Sequence, residues 1–154
     1  MNILKVGDKV SDFSSLDQHG NTIKLTDFSG KKLIVFFYPR ANTPGCTAQA
    51  CNLRDSYGDL ISKGYSLLGV SADSIKHQKS FSDKFNFPFS LLSDTDHKII
   101  NIFGVWGPKK FRGKEYEGIN RTTFVINENG LVDRVIDKVK TKDHASQILE
   151  NLSI

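Results

Sequence analysis

Sulfur is scarce in this chain. Apart from Met1, its 154 residues carry only Cys46 and Cys51, too few for a scaffold stapled by disulfides. A structural zinc site needs about four ligands. The four histidines (His19, His77, His97 and His144) lie far apart and show no ligand spacing, so no metal is expected. Long apolar runs are missing too. The longest, Leu33-Ile34-Val35-Phe36-Phe37-Tyr38, falls far short of the ~20 residues that span a bilayer, so no membrane contact is expected. The start of the chain, Met1 to Asp8, lacks the apolar core of a secretory signal, and a cytoplasmic location is expected. Basic runs never exceed two residues, although 21 Lys and Arg outnumber 17 Asp and Glu. A nucleic-acid footprint would cluster that charge on one face, so nucleic acid is not expected as a partner.

What is there reads as one ordinary domain. Apolar residues make up 38% and charged residues 25%, and the length suffices to bury a core unaided. No repeat, low-complexity stretch or linker divides residues 1–154. Thr22 to Leu25 alternates polar and apolar residues before a turn at Asp27-Phe28-Ser29-Gly30. The runs Leu33–Tyr38 and Tyr65–Ser71 read as strands buried on both faces. Between them, Thr43-Pro44 marks a helix start: a hydroxyl N-cap, then proline at the first helical position. This helix is expected to run to about Lys63, with Gly64 as its stop. Further helices are expected at Ser74–Phe85, His97–Phe103 and Asp143–Leu149, with a short strand at Phe89–Leu92. Thr122–Ile126 and Leu131–Ile136 form a hairpin about Asn127-Glu128-Asn129-Gly130. Strand, helix and strand in succession imply an α/β domain with at least two parallel central strands. The segment around Trp106, Lys109, Lys110, Phe111, Arg112 and Lys114 reads as a surface loop, its cations interspersed with Glu115 and Glu117.

Cys46 falls in the first turn of the expected helix. Unpaired backbone N–H groups and the positive end of the helix dipole stabilise an anion there, and the thiolate is the reactive form of cysteine. The competing reading is a small buried hydrophobe. Cys51 follows five residues later, ~140° around and ~7.5 Å along a regular helix, which sets the two Cα atoms ~8–9 Å apart. A disulfide needs about 7 Å or less, so the two can pair only if the first turns unwind. On the residues alone, Cys51 is equally well a buried helix residue.

Phe37-Tyr38-Pro39-Arg40-Ala41-Asn42-Thr43-Pro44-Gly45-Cys46-Thr47 resembles the active-site segment of peroxiredoxins, with its Pro-x-x-x-Thr-x-x-Cys signature. Ala48 to Asp55 is similar to the bacterioferritin comigratory (Q-type) branch, in which a second cysteine often follows at this spacing. Phe103–Lys110 and Gly118–Ile126 resemble later segments of the same branch, so the likeness spans nearly the whole chain. It implies a single thioredoxin-like domain with a central mixed β-sheet flanked by helices. It also implies a thiol peroxidase without a cofactor, acting on hydrogen peroxide and organic hydroperoxides. Cys46 would be the peroxidatic cysteine, with Thr43 bonding thiolate and peroxide, Pro39 shielding the site and Arg121 supplying a fixed positive charge. Cys51 would resolve the sulfenic acid as an intramolecular disulfide, recycled by thioredoxin or a similar dithiol. The branch is commonly monomeric, and a monomer is expected. Spacing alone would leave Arg121 a surface cation. A general thiol–disulfide oxidoreductase would show Cys-x-x-Cys, which is missing, and a binding domain without activity would have no use for Thr43 and Arg121 beside Cys46.

Overall fold

The computed structural model describes residues 3–150. Its frame is a five-stranded mixed sheet in the order β5-β4-β3-β8-β9, formed by β3 (Lys32–Phe37), β4 (Tyr65–Ser71), β5 (Ser90–Ser93), β8 (Thr122–Ile126) and β9 (Val132–Ile136). The expected parallel core is present: β3 pairs in parallel with β4, and β4 with β5. The late hairpin is present as well, with β8 antiparallel to both β3 and β9.

The unbroken apolar runs work because each strand alternates between two cores. Ile34 and Phe36 of β3 face one cluster, Leu33, Val35 and Phe37 the other. The first cluster is covered by α1 (Pro44–Asp55), α2 (Tyr57–Ser62), α3 (Ile75–Phe85) and α5 (His144–Leu149), through residues such as Ala50, Leu53, Leu60, Phe81 and Ile148. The second is covered by α4 (Lys98–Phe103), through Ile99, Ile100 and Phe103, together with Val10 and Phe13. A ribbon of β1 (Ser14–Leu16) and β2 (Thr22–Lys24) precedes the main sheet; β1 has too few apolar positions to be legible in the sequence. Within β4, Gly69 is required by packing, since a Cβ there would lie 2.7 Å from the Phe36 ring and 2.8 Å from Leu91.

Three expectations need correction. The helix from Thr43 does not continue to Lys63: it breaks at Ser56, where φ −105° and ψ 10° leave the helical region, and restarts as α2. Ser56 and Gly58 are weak helix formers at that point. Thr43 occupies the N-cap position of α1, yet its hydroxyl does not cap. It donates instead to the Arg40 carbonyl at 2.7 Å. The segment around Trp106–Lys114 is a hairpin and not a loop, with β6 (Trp106–Phe111) antiparallel to β7 (Lys114–Ile119). Its tight turn places Arg112 and Gly113 at φ 51° and 79°, the left-handed geometry of two-residue hairpin turns.

Candidate active site

The carboxyl end of β3 runs into Pro39–Thr43, a loop that a buried polar network holds in place. Ala41 N–H donates to Asp73 Oδ2 at 2.7 Å, and the Ser71 hydroxyl donates to the same oxygen at 2.7 Å. Gln78 donates to Ser71 Oγ at 2.9 Å and to the Leu92 carbonyl at 2.8 Å, while accepting from the Tyr38 hydroxyl at 2.5 Å. Burial pushes the Tyr38 hydroxyl far above the ordinary tyrosine range, so it remains a neutral donor. Asn42 turns the chain into α1 with φ 64°, a conformation asparagine tolerates better than most residues.

Pro44 is the first residue of α1, so Cys46 stands third, among the N–H groups that have no partner within the helix. The first backbone bond of this turn runs from Thr47 N–H to the Thr43 carbonyl, 2.8 Å. Cys46 is 1% exposed, at the floor of a cleft of about 770 Å³ that is also lined by Pro39, Thr43 and Arg121. Cys46 and the three residues expected to surround its sulfur thus border one cleft, although Arg121 lies 75 residues from Cys46.

Arg121 is placed by the short connection between β7 and β8. Its Nη2 lies 3.4 Å from Cys46 Sγ, and its Nη1 donates to Gln49 Oε1 at 2.6 Å. Gln49 is fully buried on α1, one turn beyond Cys46, so the same helix carries both the sulfur and the group that aims the guanidinium at it. The Gln49 Nε2 finds no hydrogen-bond partner among the described residues. Gly45 is fitted to this arrangement: a Cβ there would sit 3.2 Å from Arg121 Nη2.

The hairpin forms the opposite wall, contributing Trp106, Lys109, Tyr116 and Ile119. Lys109 Nζ donates to the Ile119 carbonyl at 2.8 Å. Burial and then the Arg121 charge lower the Lys109 pKa, and the neighbouring Cys46 opposes them. The indole Nε1 of Trp106 donates to Glu117 at 3.3 Å and its ring packs on His97.

Cys51 lies further along α1, half-buried against the same core as Cys46, and both are free thiols. Burial is the main cause that pushes the Cys51 thiol up from its ordinary value, which keeps it a weak nucleophile while the helix is closed. No group of three or more His, Cys, Asp or Glu converges among the described residues as a metal would require.

Sequence reasoning missed Gln49, Asp73, Gln78 and Lys109. Gln49 carried a readable signal, since one helical turn after Cys46 is the spacing that shares a face. Asp73, Gln78 and Lys109 reach the site through long-range contacts that no local pattern encodes.

The family model described as AhpC/TSA matches residues 6–135. The chain belongs to the AhpC/TSA family. It is 46% identical over 149 residues to peroxiredoxin Bcp of Escherichia coli, covering 97% of this chain and 96% of that one. Among solved structures it is similar to peroxidoxin BcpB from Mycobacterium tuberculosis, with 36% identity, a TM-score of 0.84 and coverage of 96% and 95% of the two chains. It is also similar to the bacterioferritin comigratory protein of Xanthomonas campestris, solved in a study of alkyl peroxide reduction. There the identity is 31% and the TM-score 0.86, covering 97% of this chain and 96% of that one. The fold is therefore that of the thioredoxin-like peroxiredoxins, and the protein is a peroxidase of the oxidoreductase class.

Proposed function

We propose that the protein reduces hydrogen peroxide and organic hydroperoxides through Cys46, with Cys51 as the resolving thiol and a dithiol protein such as thioredoxin as the reductant. The observation that carries this reading is the Arg121 guanidinium, held by Gln49 at 2.6 Å and lying 3.4 Å from Cys46 Sγ at the floor of the cleft. A fixed cation at that distance stabilises the negative charge that develops as the peroxide bond breaks.

In the first step a thiolate lone pair attacks one peroxide oxygen. The O–O bond breaks, and the other oxygen leaves with the electron pair and takes a proton as water or an alcohol. Cys46 becomes a sulfenic acid. Thr43, on the cleft wall, bonds the peroxide, and Pro39 limits water. The first turns of α1 then unwind, Cys51 becomes exposed, and its sulfur attacks the sulfenic sulfur. Water leaves and a Cys46–Cys51 disulfide forms. The reductant's dithiol returns both thiols, and no cofactor takes part. A cleft of about 770 Å³ is far larger than hydrogen peroxide needs, which supports organic hydroperoxides as substrates. The relative from Xanthomonas campestris, linked to alkyl peroxide reduction, supports the same reading. The enzyme works as a cytoplasmic monomer in antioxidant defence, where the reducing milieu keeps the pair recyclable.

Cys46→Ser tests the core of this reading. Peroxide consumption in the presence of a dithiol reductant should disappear while the circular dichroism spectrum stays that of the parent. Turnover within twofold of the parent would refute Cys46 as the nucleophile.

A further inference from the structure

Among the described residues, Asn52, next after Cys51, is the one side chain of α1 hydrogen-bonded to α5. Its Oδ1 accepts from Ala145 N–H at 2.7 Å, and its Nδ2 donates to the Lys142 carbonyl at 3.1 Å. The first bond performs a task that α5 leaves undone. Asp143 holds the N-cap position of α5 but makes no side-chain cap bond, and Ala145 carries one of the N–H groups that a cap would satisfy. Asn52 therefore caps α5 from a different helix, with both ends of its amide engaged.

The two helices are not equal partners in this contact. α5 has six residues, too few to stand alone, and is fastened to the sheet at both ends. Arg134 of β9 donates to the carbonyls of Ile148 and Gln147 at 2.9 and 3.1 Å, and Thr123 of β8 bonds His144 at 2.7 Å. α5 is thus a fixed jaw on the sheet. By contrast, α1 is the segment that must open if Cys51 is to reach Cys46.

We propose that Asn52 is a positioning residue that latches α1 closed against α5 and so sets the rate at which the Cys46 sulfenic acid is resolved. This rests on the Cys46–Cys51 reading above. Unwinding α1 around Cys51 displaces Asn52, breaks both of its bonds and uncaps α5. The latch therefore favours the closed helix, in which Gln49 holds Arg121 over Cys46, and delays the open form in which the disulfide can form. A longer-lived sulfenic acid meets a second peroxide more often. That peroxide gives up one oxygen to the sulfur, leaves as water or an alcohol, and the cysteine becomes a sulfinic acid.

The test is stopped-flow oxidation of the full-length reduced protein by hydrogen peroxide, with the species quenched and counted by mass spectrometry. Asn52→Ala should form the Cys46–Cys51 disulfide about fivefold faster, the factor that corresponds to about 1 kcal/mol for a lost cap. The second-order rate of peroxide attack should stay within twofold of the parent. Excess peroxide should leave a smaller sulfinic fraction. Asn52→Asp keeps the acceptor for Ala145 but loses the donor to Lys142, and should fall between the two; it also serves if the alanine variant folds poorly. An unchanged rate of disulfide formation in both variants overturns the latch. So does a parallel change in the rate of attack, which would make Asn52 part of the site's structure and not its timing. Disulfide mapping of the parent separates the two layers: a parent that forms no Cys46–Cys51 bond defeats the underlying reading, and the latch with it.

Discussion

α1 and α3 are nearly the same length, 12 and 11 residues, and lie over the same face of the sheet, but they are finished in opposite ways. α3 is self-sufficient. Ser74 caps it through a bond from His77 N–H at 3.2 Å, Asn86 ends it in the left-handed conformation, and Lys79 pairs with Asp83 one turn along at 2.9 Å. α1 opens with Pro44 and Gly45 beneath an uncapping threonine, breaks at Ser56 and carries, in Gln49, a buried side-chain amide N–H without a partner among the described residues. An orphaned buried donor costs about 1–3 kcal/mol, which water would recover on opening. What holds α1 comes from elsewhere: Arg121 at its start and α5 against Asn52. The helix that carries the chemistry is the one left dependent on its neighbours. That suits the proposed mechanism, in which this helix binds a substrate when closed and forms a disulfide when open.

The sharpest way to separate the helices is to remove the external support at the start of α1. Arg121→Ala takes away a charge-assisted bond to Gln49 and the cation beside Cys46. Such bonds are worth about 1.5–3 kcal/mol, so peroxide attack should slow roughly 10- to 100-fold. An unchanged rate would make Arg121 a bystander.

α5 offers a second, milder way through His144. This residue is fully buried; Gln147 Nε2 donates to the Lys138 carbonyl, which fixes the amide so that its Oε1 faces His144 Nδ1 at 2.9 Å. Nδ1 must then be the donor, leaving Nε2 to accept from the Thr123 hydroxyl. Burial above all, with the charges of Arg121 and Arg134, lowers the His144 pKa to about 4. The folded value lies below the unfolded one of about 6.5, so the unfolded chain takes up the proton first as the solution is acidified. Stability present in full above about pH 6.5 is therefore lost as the pH falls toward 4, by about 2 kcal/mol between pH 7 and pH 5. Denaturant melts at the two pH values give the parent's loss, and His144→Gln should show a loss smaller by about that amount. Equal losses in both proteins would assign the acid sensitivity to other groups.

The smallest effects distinguish a cap from a catalytic hydroxyl. Ser74→Ala should cost about 1 kcal/mol of stability and leave peroxidase activity alone. Thr43→Ala should cost less stability, because the hydroxyl does not cap α1, and yet depress turnover. Reversal of the two patterns would show that Thr43 is structural.

Much of this was open to reading in the residues. Leu33–Tyr38 is apolar throughout, and Tyr65–Ser71 mostly so, because strands at the centre of the sheet are covered on both faces, and Thr43-Pro44 marked the start of α1 because proline fits its first turn. The hairpin Trp106–Ile119 escaped because Lys109-Lys110 and Glu115-Tyr116-Glu117 do not read as a buried strand, and Arg112-Gly113 lacks the Asn-Gly mark of such turns. Of the site, Cys46 was legible from its place in a helix. Arg121 was legible only through family resemblance, because its contact with Cys46 is made by folding across 75 residues. The uncapped start of α1 could not be foreseen either: a threonine before a proline reads as a cap, and only the competing Arg40 carbonyl redirects its hydroxyl.

The central claim, that α1 opens where α3 does not, is tested most directly by amide hydrogen exchange in the reduced and the disulfide-bonded enzyme. Residues 47–53 should be protected in the reduced protein and exchange markedly faster once the Cys46–Cys51 bond is confirmed, while residues 78–85 exchange alike in both. Equal protection of residues 47–53 in the two forms would contradict it, because the disulfide would then have formed without any helix to unwind.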